Sequence, residues 1–104
     1  MALNLINFDK LQYFTANDNP ELTTVVFYDG STNLKQISMN NCHIMHFYAI
    51  SLPNLSSLNL SNNALLDFEN GTYPKLSTLS VNGNYLSEID VTKFPKLFSF
   101  DCSS

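Results

Sequence analysis

The side chains able to do chemistry are few, and the tightest group is Cys42-His43-Ile44-Met45-His46. That spacing suggests metal ligands, but zinc needs about four donors converging on one point. Cys42 falls at an inward position of the pattern described below, His43 beside it must point elsewhere, and no fourth ligand is evident. Neither a metal nor another cofactor is expected. Nucleophilic catalysis needs a serine or cysteine with a base in reach, and both histidines lie in this one stretch, away from the serine-rich segments. No glycine-rich phosphate loop or calcium loop is present. Asp67, Glu69, Glu88 and Asp90 recur at equal offsets in successive segments and read as a solvated acidic strip. The expectation is a protein that is not an enzyme.

Composition narrows the partners. Nine acidic residues against five lysines and no arginine give a formal charge of -4 over 104 residues. Without arginine there is no bidentate donor for phosphate or guanine, so nucleic acid is not expected as a partner. No run approaches the roughly 18 apolar residues of a membrane span. The start, Met1 to Asp9, lacks the basic and continuous apolar regions of a signal peptide. Apolar residues at 44% supply a core for a single domain, while charged residues at 13% leave little material for ion pairs. Fourteen asparagines and nineteen serines plus threonines offer short side chains that hold turns through bonds to the backbone.

The element that must position all these residues is a repeat. Leu55-Ser56-Ser57-Leu58-Asn59-Leu60-Ser61-Asn62-Asn63-Ala64-Leu65 returns 21 residues later as Leu76-Ser77-Thr78-Leu79-Ser80-Val81-Asn82-Gly83-Asn84-Tyr85-Leu86. The same step leads back to Leu34-Lys35-Gln36-Ile37-Ser38-Met39 and forward to Leu97-Phe98-Ser99-Phe100-Asp101-Cys102. A step of 23 residues reaches Leu11-Gln12-Tyr13-Phe14-Thr15-Ala16. Lead-ins Leu52-Pro53-Asn54, Tyr73-Pro74-Lys75 and Phe94-Pro95-Lys96 precede three of these segments. The chain thus divides into a tail at 1–10, repeats near 11–33, 34–54, 55–75 and 76–96, and a partial repeat at 97–104.

This pattern, L-x-x-L-x-L-x-x-N/C-x-L, resembles the leucine-rich repeat proteins. The short repeat, with Ile89-Asp90-Val91-Thr92-Lys93-Phe94-Pro95-Lys96-Leu97, is similar to those of bacterial surface and secreted proteins. The resemblance implies a mostly β, right-handed solenoid with few or no α-helices and a parallel sheet on its concave face. The spacing alone gives compatible geometry. Leu58 and Leu60 alternate with Ser57, Asn59 and Ser61, the period of a half-buried strand. One repeat cannot bury its apolar side alone, but stacked repeats can. Asn19, Cys42, Asn63 and Asn84 fall just after each strand and should turn inward as a structural ladder, satisfying the backbone of the bend. Val26, Phe47, Phe68 and Ile89 should form an apolar column on the far side, where short turns or 3₁₀ pieces are expected. Phe8, Leu52, Tyr73 and Phe94 should form a second column at the lead-ins.

The outward strand positions then carry the candidate binding residues. They are Tyr13, Gln36, Ser57, Thr78 and Ser99 in one column, and Thr15, Ser38, Asn59, Ser80 and Asp101 in the next. Asn17, Asn40, Ser61, Asn82 and Ser103 make a third. Such a face suits a protein, peptide or glycan partner held by many weak hydrogen bonds. The alternative is assembly. The pattern's ladder position is not reached before Ser104, so the strand around Phe98, Phe100 and Cys102 is expected to be an open edge able to pair with a second copy. Cys42 and Cys102 lie three repeats apart, roughly 14 Å at a strand spacing of about 4.8 Å, too far for a disulfide. Two buried free thiols and no signal peptide lean towards the cytoplasm, whereas the resemblance leans towards the cell surface or secretion.

Overall fold

A computed structural model gives the fold, and it describes residues 1–5, 10–27, 33–49, 52–66, 68, 73–86, 94–97 and 99–101. These contain eight strands and no helix, so the chain is mostly β. The strands are β1 (Ala2–Leu5), β2 (Tyr13–Thr15), β3 (Thr24–Phe27), β4 (Gln36–Ser38), β5 (His46–Ala49), β6 (Ser57–Asn59), β7 (Thr78–Ser80) and β8 (Ser99–Asp101). They form two parallel sheets, one ordered β1-β3-β5 and the other β2-β4-β6-β7-β8. The chain alternates between the two sheets from β1 to β6.

The five-stranded sheet follows from the period-two alternation. Ile37, Leu58 and Leu79 face inward and are buried, while their neighbours on either side are exposed or half-buried. Leu34, Met39, Ile44, Leu55, Leu60, Leu65, Leu76 and Val81 complete the buried core between the sheets. Tight turns carry the chain into the strands: Leu55 N donates to Leu52 O (3.2 Å), Leu76 N to Tyr73 O (3.3 Å) and Leu97 N to Phe94 O (3.1 Å). Pro53, Pro74 and Pro95 take the second turn position, where a fixed φ is an advantage.

The far side differs from the short turns or 3₁₀ pieces expected there. Thr24-Val25-Val26-Phe27 and His46-Phe47-Tyr48-Ala49 are β-branched or aromatic and alternate in burial, so they form strands. The apolar column also shifts by one residue. Val25, not Val26, pairs with Phe47 and is fully buried, while Val26 is half-buried opposite Tyr48. The cause is the longer first repeat. Residues 16–23 link β2 to β3, whereas the shorter 39–45 link β4 to β5. One added residue reverses which side chains face the core. Phe47 packs tilted against Phe27 (5.7 Å between ring centroids) and Phe68 (5.9 Å), and Phe68 stacks on Tyr73 and Phe94. Leu52, Tyr73 and Phe94 are buried as the second column requires, while Phe8 and Ile89 lie outside the described residues.

Candidate functional site

The register of the five-stranded sheet brings the predicted face together. Tyr13, Gln36, Ser57, Thr78 and Ser99 are successive partners across the strands, as are Thr15, Ser38, Asn59, Ser80 and Asp101. At about 4.8 Å per strand, each column spans roughly 19 Å. Tyr13 is the large apolar residue of this face, at 59% exposure, beside small uncharged polar groups. Of β8 the backbone path is described.

A hydrogen-bonded network follows each strand. Asn17 Oδ1 accepts from Asn40 N (2.9 Å) and from Ser38 Oγ (3.0 Å), and the same hydroxyl lies 3.3 Å from Asn40 Oδ1. Asn59 Oδ1 accepts from Ser61 N (3.0 Å) and Ser61 Oγ (2.7 Å), and Asn82 Oδ1 from Ser80 Oγ (2.8 Å). The backbone donors fix which end of Asn17 and Asn59 is oxygen, because an amide nitrogen cannot accept. One step on, Asp18, Asn41, Asn62 and Gly83 all have positive φ, between 57° and 71°. Asn, Asp and Gly tolerate this conformation best. The sequence reading missed this column, although an Asn, Asp or Gly at one fixed register is its signal. Asn41 Nδ2 also donates to Asp18 Oδ1 (3.0 Å), linking two members.

Below the face lies the ladder. Asn63 Oδ1 accepts from Ile44 N (3.1 Å), and its Nδ2 donates to Met39 O, Leu60 O and Ser61 O. Asn84 repeats this set with Leu65 N, Leu60 O, Val81 O and Asn82 O. Both are buried. Asn19 is instead exposed, with Nδ2 donating to Ala16 O and Asn17 O. Cys42 is half-buried rather than buried, and its thiol lies 3.2 Å from Ala16 O. It is free of any disulfide. Cys102 and Phe98, placed at the assembly edge by the sequence, lie outside the described residues, as do Asp67, Glu69, Glu88 and Asp90.

The residues first suspected of metal chemistry diverge. His43 is exposed, and the His46 and Tyr48 rings stack on the outer side of β5, with Tyr48 Oη 3.3 Å from His46 Nδ1. Among the described residues no three His, Cys, Asp or Glu side chains gather around one point. Tyr73 is the buried polar group without a partner there, and burial pushes its phenol well above the ordinary range. No helix among these residues is long and apolar enough to cross a membrane. Comparison with protein families, with curated proteins and with solved structures found no match.

Proposed function

We propose that the chain is a non-catalytic binding module of the leucine-rich repeat kind, its strands stacked as a right-handed solenoid. It takes a protein, peptide or glycan on the face of the five-stranded sheet. The observation that carries this reading is the register of that sheet, which aligns the uncharged residues Tyr13, Gln36, Ser57 and Thr78 in one column and Thr15, Ser38, Asn59 and Ser80 in the next. The alternation of the chain between two parallel sheets and the asparagine ladder support the architecture. The test is to probe immobilised glycans and peptides with the chain and with a Tyr13→Ala, Gln36→Ala double variant. Both side chains are exposed, so the melting temperature should be unchanged while binding is lost. Retained binding by the folded variant overturns the assignment of this face.

A second reading is assembly through β8, which stands at one end of the strand order and pairs with β7. Under it, light scattering reports a mass that rises with concentration. A constant monomer mass removes this reading.

A further inference from the structure

Two strands of the large sheet use only one side. β2 pairs with β4 and β8 pairs with β7, at opposite ends of the strand order. Along a strand, successive residues turn their backbone groups to alternate sides. Gln12 O, Ala16 N and Asp18 N bond to the repeat that carries β4, so Tyr13 and Thr15 turn theirs the other way. Among the described residues nothing bonds to those groups. The same alternation turns Phe100 N–H and C=O away from β7. Charge, proline or a bulge commonly blunts such an edge. Tyr13-Phe14-Thr15 has none of them and keeps an unbroken register with β4.

The core is also less covered at the β2 end. Leu34, Ile37 and Met39 are at most 1% exposed, whereas Leu11, Phe14 and Ala16 at the same register are half-buried while packed against that core. The two ends are stepped in complementary ways. β1 pairs with β3, the small-sheet strand that follows β2, so β1 stands one layer ahead of β2. β8 stands one layer beyond β7, and no small-sheet strand follows it among the described residues. The projecting strand thus belongs to the small sheet at one end and to the large sheet at the other.

We propose that β8 of one copy of this chain pairs with β2 of a second copy, parallel and in register. Within the sheet, Met39 N donates to Asn59 O and Leu60 N to Ser80 O, one residue before the paired position. By the same rule Phe100 N–H donates to Tyr13 O of the second copy, and Phe100 C=O accepts from its Thr15 N–H. This rests on the assembly reading above. β1 of the second copy then falls in the layer of β8, and the two copies make up one coil between them. Joining β2 to β2 instead would put β1 of each copy in the layer already filled by the other's β3. The contact is heterologous, one end against the other, so it can repeat along a row of copies.

The test uses two variants, Tyr13→Cys and Ser99→Cys, each in a Cys42→Ser, Cys102→Ser background. They are oxidised separately and mixed, while light scattering follows the unaltered chain over a roughly hundredfold range of concentration. Within one chain these two positions lie four strand spacings apart, roughly 19 Å, too far for a disulfide. Across the join they lie one spacing apart, about 4.8 Å, which a disulfide can bridge. The mixture should give a linked dimer on a non-reducing gel, and neither variant alone should. Thr15→Pro removes the outward donor at an edge position that tolerates proline, and melts check that it folds. It should raise the concentration at which the mass climbs by at least about tenfold. A rising mass with either cysteine variant linking to itself, or with no link in any sample, overturns the head-to-tail join and keeps association. Folded Thr15→Pro that associates unchanged overturns the join as well. A constant monomer mass removes the assembly reading and this inference together.

Discussion

Two regions of the ladder solve the same bend with different chemistry. At Asn63 and Asn84 one amide accepts from a backbone N–H of the preceding repeat (Ile44 N, Leu65 N) and donates to three carbonyls. At Cys42 a thiol with one proton reaches Ala16 O at 3.2 Å, with Asn40 O at 3.7 Å. It is a poor acceptor for Leu22 N, the group equivalent to Ile44 N. Leu22 N needs no such acceptor, because it donates to Asn19 O (3.0 Å) within its own repeat. The extra residue at Pro20-Glu21-Leu22 makes that local bond possible. The weak ladder residue and the insertion compensate each other across neighbouring repeats, and the comparison teaches that a ladder position must be judged by what the previous repeat leaves unpaired.

The largest effect should come from breaking the strong side of this comparison. Asn63→Leu strands Ile44 N and Met39 O in a buried site, while Leu60 O keeps Asn84 Nδ2 and Ser61 O keeps Asn41 N, and at roughly 1–3 kcal/mol per group it should cost about 2–6 kcal/mol, read as a fall in the urea midpoint. A loss below about 1 kcal/mol would show that the bend does not depend on the ladder. Gly83→Ala should cost about 1–2 kcal/mol for its positive φ, and more for the Cβ, which would meet Asn62 Oδ1. A thermal melt, which reads the Gly83→Ala loss, should leave Asn62→Gly nearly unaffected, since glycine suits that φ.

Tyr73 extends the comparison to a polar group that nothing satisfies. Tyr73→Phe should raise stability by about 1 kcal/mol, measured by denaturant titration, because an orphaned hydroxyl leaves a packed aromatic cluster. Burial raises the folded-state pKa of this phenol, so the folded chain holds its proton where the unfolded chain releases it. Stability is therefore complete below about pH 10 and declines as pH rises above the unfolded phenol's value. Tyr73→Phe should flatten that alkaline decline. The smallest effect belongs to Cys42→Asn, which should change stability by less than about 0.5 kcal/mol because Leu22 N already has its acceptor. A gain near that lost in Asn63→Leu would dissolve the claimed compensation.

How much was legible follows the same physics. The five-stranded register could be read because each strand's apolar alternation is locked to a fixed period, so Tyr13, Gln36, Ser57 and Thr78 line up without structural knowledge. The Val25 and Val26 inversion was not legible. Both are apolar, and where two extra residues divide around β3 decides which one faces inward. The strands β3 and β5 were obscured because their place in the repeat drifts, with eight residues between β2 and β3 but seven between β4 and β5. The Nδ2 groups of Asn17 and Asn59, which make no bond among the described residues, were also invisible, since an asparagine's type says nothing of which of its ends is occupied. That asymmetry depends on Asn40 N and Ser61 N turning towards the preceding side chains.

The pairing of Leu22 with Cys42 has a consequence for descent. In any array built from repeated units, a unit can be exchanged only if its neighbours accept it. A crossover between residues 22 and 42 would hand Cys42 a predecessor of ordinary length, whose amide would then have no acceptor. The heritable module here is therefore the shared seam between two repeats, and this seam resists exchange more than the one between Asn63 and Asn84.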